Sequence, residues 1–214
     1  MNGQGTLCKD KGPRVLLVEG RDDCHVVMAL CSAHGVPQKF GIYACESDVK
    51  VLRRLNALVI SPDMETIGVV LDADNDVETR WQSIKTKLGR HPYILPHAPR
   101  ASGTIVVPPE GMPKLGFWLM PNNVDAGMLE DFCFELAEPR ARSFAKNCVT
   151  QAQAEGVTRF REVHRSKAVI HTYLAWQDEP GRPLGQAITA QALVPNKETA
   201  VSFTDWLTNL FGDT

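Results

Sequence analysis

VLLVEGRDD (residues 15–23) and IGVVLDADND (residues 67–76) share one pattern, a short aliphatic run that ends in a cluster of acids. An uninterrupted aliphatic run suits a strand buried on both faces, as in a parallel sheet covered by helices. Carboxylates at the carboxyl ends of two such strands meet at the rim, where ligands of α/β folds bind. Glu19, Asp72 and Asp74 are therefore expected to form an all-oxygen cluster suited to Mg²⁺ or Mn²⁺.

Working outward, Arg14 to Glu19 reads as the first strand, and Gly20 allows a tight turn into a helix from about Asp22 to His34. Phe40 to Cys45 reads as a second strand. Ser47 or Asp48 then caps a helix whose Val51, Leu52, Leu55, Leu58 and Val59 recur at helical spacing. Thr66 to Leu71 is the third strand, and Trp81, Ile84 and Leu88 mark a third helix. This βαβαβα alternation predicts a three-layer α/β domain with right-handed crossovers. Prolines crowd the next stretch, in which Thr104 to Val107 and Leu115 to Met120 are strand candidates for a hairpin or an added strand. From Leu129 onward the chain reads as mostly helical, through Ser166 to Trp176 and on to an amphipathic end carrying Phe203, Trp206, Leu207, Leu210 and Phe211. The expected organisation is a flexible segment 1–12, an α/β core 13–121 and a helical extension 122–214 packed on that core.

The 214 residues suffice for a genuine core, and their 43% hydrophobic and 22% charged content is that of a soluble globular protein. A formal charge of -2 neither favours nor excludes nucleic acid, so local charge decides. Lys50, Arg53 and Arg54 form one basic cluster, and Arg159, Arg161, Arg165 and Lys167 another; each reads first as a solvated face. Six cysteines without a CxxC pair, and no signal peptide, predict a reduced, cytoplasmic protein. Cys24, Cys31 and His34 share a helical face, but buried structural cysteines explain them better than zinc does. No apolar run approaches the ~20 residues needed to span a membrane.

Acids two residues apart on an extended segment point the same way, so Asp72 and Asp74 are expected to reach one cation, with Asp76 added if the extended path continues. Glu19 ends the first strand, and Asp23 lies one turn further on, near enough to share that ion. Arg21 is read equally as a phosphate contact or a solvated side chain. Glu130, in PNNVDAGMLEDF, either favours a helix N-terminus or reaches the same rim as a further ligand. Lys167, in RSKAVIHTYLAW, is either a surface lysine or a cation that neutralises charge on a phosphoryl oxygen. Ala168, His171 and Leu174 are expected to face protein, with His171 a core or rim residue. There is no GxSxG elbow, Walker A loop or HExxH motif.

With these residues placed, the chain resembles the TOPRIM family, the catalytic module of topoisomerases, bacterial primases and OLD-type nucleases. Glu19-Gly20 and Asp72-Ala73-Asp74 match its glutamate after the first strand and its DxD after the third. The core resemblance covers about Arg14 to Met120. GFWLMPNNVDAGMLEDF, SKAVIHTYLAW and FTDWLTNLF extend it to small stand-alone prokaryotic TOPRIM-like proteins of uncharacterised function. The resemblance implies a Rossmann-like, mostly parallel sheet with helices on both faces. It also implies a Mg²⁺-dependent nuclease, with Asp23 as an added ligand and Lys167 as a transition-state cation. OLD-type proteins carry an ATPase domain in the same chain; none is read here, which implies a separately encoded ATPase partner. Three tyrosines and no tyrosine-bearing region count against a topoisomerase.

The leading expectation is thus a divalent-metal-dependent nuclease or related phosphotransfer enzyme acting on nucleic acid, DNA ahead of RNA. Glu19 serves as ligand or general base, Asp72 and Asp74 bind Mg²⁺, and Asp23, Asp76 and Glu130 are further ligands. The rival is a non-enzymatic subunit that binds a partner through its rim, suggested by the near-neutral charge. A HAD-like phosphatase fits less well, because its DxD belongs on the first strand.

Overall fold

Both aliphatic runs become central strands. In the computed structural model, which describes residues 12–212, they are β1 (Arg14–Val18) and β3 (Thr66–Asp72). With β2 (Gly41–Ala44), β4 (Thr104–Val106) and β5 (Lys114–Met120) they form a sheet of order β2-β1-β3-β5-β4. The first three pairings are parallel, and β4 joins the edge antiparallel to β5. The expected mostly parallel three-layer α/β fold is therefore present. All of the expected flexible segment except Gly12 lies outside the described residues.

The strand order explains where a site can form. From β1 the chain moves one way, through α1 (Arg21–His34), to β2; it then returns through α2 (Asp48–Leu58), across β1, to β3. Crossovers of one hand that travel in opposite directions must lie on opposite faces. The buried clusters agree. Leu16, Val18 and Val70 pack with α1, whereas Val15, Leu17, Ile67, Val69 and Leu71 pack with α2 and α3 (Val77–Leu88). The direction of travel reverses between β1 and β3, so the crevice at their carboxyl ends is the natural ligand position.

The remaining helices are α4 (Leu129–Glu135), α5 (Pro139–Ala154), α6 (Arg165–Leu174), α7 (Leu184–Thr189) and α8 (Glu198–Phe211). They share the buried cluster that holds α1, so residues after 122 supply much of one cover of the sheet. Register pairs Gly68 of β3 with Gly116 of β5. A Cβ at Gly116 would stand 2.4 Å from Leu210 Cδ2, and one at Gly68 would stand 3.0 Å from the same atom. Two bare positions side by side thus let α8 lie directly on the strands. Trp118 of β5 meets Phe203 and Trp206 of α8 at ring separations of 5.2 and 5.8 Å. Fully burying each such ring is worth about 1.5–3 kcal/mol, and that anchors the helix.

Candidate active site

β1 ends at Val18, and Glu19 follows it directly into the crevice. Gly20 then sits in extended backbone as the N-cap of α1, and its N–H donates to Asp23 Oδ2 at 3.0 Å. Asp23 therefore closes the first turn of α1 while its side chain lies buried at the rim. Across the crevice, Asp72 ends β3; its own N–H donates to Glu19 Oε1 at 2.9 Å. Its carboxylate accepts at Oδ1 from Leu129 N–H, also at 2.9 Å, at the start of α4. These two bonds tie the ends of β1, β3 and α4 together.

α4 is oriented by its neighbours. Asp74 and Gly127 exchange backbone hydrogen bonds, both 2.8 Å, which pin the loop before α4 against the end of β3. Gly127, at φ 144°, takes a conformation that L side chains rarely adopt. Asp131 accepts from Met128 N–H at 2.9 Å and from Ser166 Oγ at 2.7 Å, so it locks the first turn of α4 to the start of α6. Between these anchors Glu130 is 6% exposed and faces Lys167 Nζ at 3.3 Å.

Glu19, Asp23, Asp72, Glu130 and Lys167 line one cleft of about 360 Å³, with Arg21 and His164 also on its wall. Burial pushes Asp72 up to about 9, and the charges of Glu19, Asp23 and Glu130 push the same way. Burial likewise raises Asp23 to about 7 against the pull of Gly20 N–H, with Glu19 and Glu130 adding to the rise. Glu19 is raised by burial, while Asp72 N–H and Arg80 oppose the shift. The raised Glu19, Asp23 and Asp72 thus favour their protonated forms unless a cation takes the place of the protons. Among the described residues, no three His, Cys, Asp or Glu side chains already stand together at metal-holding distance.

The second acidic motif does not act as a unit. Strand geometry stops at Asp72, and Asp74 takes a left-handed φ of 55°. The alternation expected to aim Asp72 and Asp74 at one point is thereby broken. Asp74 instead pairs with Arg80, whose other arm holds Asp48 at 2.6 Å. Asp76 caps α3, accepting from Glu78 N–H at 3.3 Å and Thr79 N–H at 2.7 Å. Asp74 still lies close enough for its charge to disfavour ionised Glu19.

A family model described as protein of unknown function (DUF3226) matches residues 13–212. The chain belongs to this family. No curated protein and no solved structure matches it. In this DUF3226 chain the matched span takes in each strand and helix named above, and all of the cleft.

One further sequence expectation for the DUF3226 chain needs correction. His171 is exposed, because α6 buries Val169, Ile170, Tyr173 and Leu174 instead. Cys24 and Cys31 are buried in the core, as their structural reading expects, and His34 bonds Pro195 O at 2.9 Å. Cys31, Cys133 and Cys148 carry free thiols. Among the described residues no helix is long and apolar enough to cross a membrane. Lys50 of the first basic cluster pairs with Glu46, and Arg54 stacks 3.6 Å from the centre of the Tyr43 ring. Sequence reasoning missed His164, Ser166 and Arg80. Only Arg80 left a signal, standing four residues after Asp76 and so one helical turn from the acidic motif.

Proposed function

We propose that this chain is a divalent-metal-dependent nuclease, or a related phosphotransfer enzyme acting on nucleic-acid phosphodiesters, built on a TOPRIM-like core. The observation that carries the reading is the placement of Glu19, Asp23, Asp72 and Glu130 on one cleft at the β1/β3 crevice, with Lys167 beside them. The donor set fits a hard cation in kind, being all carboxylate and short of positive charge. It fits in arrangement only after side-chain rotation, since three ligating groups do not yet stand together. Glu19 and Asp72 are the principal ligands in this reading, with Asp23 and Glu130 beside them and Mg²⁺ or Mn²⁺ as the ion.

A bound divalent ion supplies Lewis-acid charge and lowers the pKa of a water. Glu19 spends Oε1 on Asp72 N–H, which leaves Oε2 to hold the ion or accept the proton of an attacking water. Lys167 Nζ, held by Glu130, neutralises charge that builds on a phosphoryl oxygen. Arg21 and His164 on the cleft wall, with Arg161 3.3 Å from His164, favour the approach of a phosphate backbone. DNA is the preferred substrate over RNA, and a separately encoded ATPase is a proposed partner.

The test is cleavage of DNA and RNA with Mg²⁺ or Mn²⁺ by wild type, Glu19→Gln and Asp72→Asn. Cleavage by wild type that both variants lose supports the enzyme. The dispersed ligands favour one rival, a non-enzymatic subunit that binds a partner through the same rim. No cleavage under any metal or substrate condition sinks the nuclease and leaves that rival.

A further inference from the structure

The Asp74 side of the rim already holds a cation, and it is covalently part of the chain. Asp74 follows β3 and Asp48 opens α2, yet both carboxylates meet on the guanidinium of Arg80, in the first turn of α3. We infer that Arg80 is a built-in counter-cation that closes the Asp74–Asp48 half of the acidic rim to divalent metal, so that the rim loads one ion rather than two. The inference rests on the proposed metal centre only for that one ion; the closure itself stands on the Arg80 geometry.

Three features make the closure firm. The Arg80 side chain is 11% exposed, whereas Asp48 and Asp74 are 33% and 48% exposed, so the cation is the most enclosed member of the group. Backbone bonds at both Asp74 N–H and O tie that residue to Gly127, which fixes the backbone that presents its carboxylate to Arg80. Asp76 caps α3 and Ser47 caps α2, so both helices that present the group are anchored at their starts. A dication at Asp74 would have to evict a guanidinium that has little solvent to receive it, or sit against it at like charge.

Asp74, Asn75, Asp76, Thr79 and Ser83 line a cavity of about 360 Å³ with Arg80, and most of these carry side-chain oxygen. With Arg80 gone, Asp74 and Asp48 are left near one another with no counter-charge between them. Oxygen donors of this kind suit Mn²⁺ or Mg²⁺. Unlike a metal ion, a guanidinium cannot activate water or accept an oxygen ligand. Arg80 thus donates fixed positive charge to the rim without adding a second reactive centre.

The experiment is titration of the metal-free chain with Mn²⁺, free ion being counted by electron paramagnetic resonance. Wild type is expected to bind one Mn²⁺, Arg80→Met two, and Arg80→Met with Asp74→Asn one again. Arg80→Lys keeps the charge and is expected to stay at one. Asp74→Asn alone, at a half-exposed site that should not threaten folding, is expected to leave the wild-type count at one. Loss of one ion in Asp74→Asn alone, or no gain in a folded Arg80→Met, overturns the inference. No ion in wild type but one in Arg80→Met overturns the proposed metal centre and leaves the Arg80 closure standing.

Discussion

The acidic rim has two halves of opposite electrostatic character. In the cleft, Asp23 and Glu130 are buried beside the half-buried Glu19 and Asp72, Lys167 pairs with Glu130, and burial raises Asp23 and Asp72. In the other half, burial resists the lowering of Asp48 but its bond to Arg80 prevails, and Asp76 is lowered by the Thr79 side chain and the N–H groups it caps. One motif, DADND, feeds both halves, and the break falls where Asp74 turns left-handed. Matching residue types therefore do not define a site; what each carboxylate has to neutralise it does.

The strongest way to break this comparison is to treat the halves as equivalent and mutate them in parallel. Glu19→Gln and Asp72→Asn are expected to lower Mg²⁺-dependent cleavage by about 10²-fold or more, since groups that only orient a ligand already cost 10–100-fold. Asp72→Asn should at the same time raise the melting temperature of the metal-free chain at pH 8, because it removes a carboxyl group that burial and three neighbouring acids disfavour. A parallel loss of both cleavage and stability would show that Asp72 acts as a structural residue.

Lys167 sharpens the cleft side. Lys167→Met is expected to cost about 10²-fold in kcat, the scale of removing one group aimed at developing charge, with KM little changed. Equal losses in kcat and in substrate affinity would reduce Lys167 to a binding residue. Half exposed at the mouth, it should affect melting far less than cleavage.

The halves also predict opposite responses to pH. Asp23 and Asp72 bind protons more tightly folded than unfolded. Their contribution is complete below the ordinary carboxylate range and is lost as pH rises through about 7 and about 9. Asp48 and Asp76, being lowered, contribute above the ordinary range and lose that contribution only as pH falls below it. In EDTA the melting temperature should therefore decline from pH 5 to pH 9, and Mg²⁺ should restore more of it the higher the pH. A flat profile in EDTA would remove the electrostatic distinction.

Much of this was legible in the chain. Aliphatic runs, helical spacing and acid placement led to the sheet, to α1 through α3 and to Glu19 with Asp72 at its rim. They could do so because local periodicity reports burial. The separation of Asp74 from Asp72 was not legible, since it depends on a single φ set by backbone bonds to Gly127, more than fifty residues away. Lys167 and Glu130 were visible as residues, but their pairing depends on α4 and α6 meeting over the sheet. The bare Gly68–Gly116 pair that seats α8 is likewise a product of register, which one strand alone does not reveal.

The smallest expected effect tests the other half of the rim. Asp76→Ala removes the acceptor for Glu78 and Thr79 N–H and leaves the start of α3 uncapped. A fall of about 2–4 °C in melting temperature is the usual cost of one cap in a chain of this size, and Asp76→Ser should recover most of it. Metal-dependent cleavage should stay near wild type, since Asp76 faces its own helix. Should cleavage instead fall as far as in Asp72→Asn while melting holds, Asp76 belongs to the metal site, and the division at Asp74 gives way to a single acidic centre.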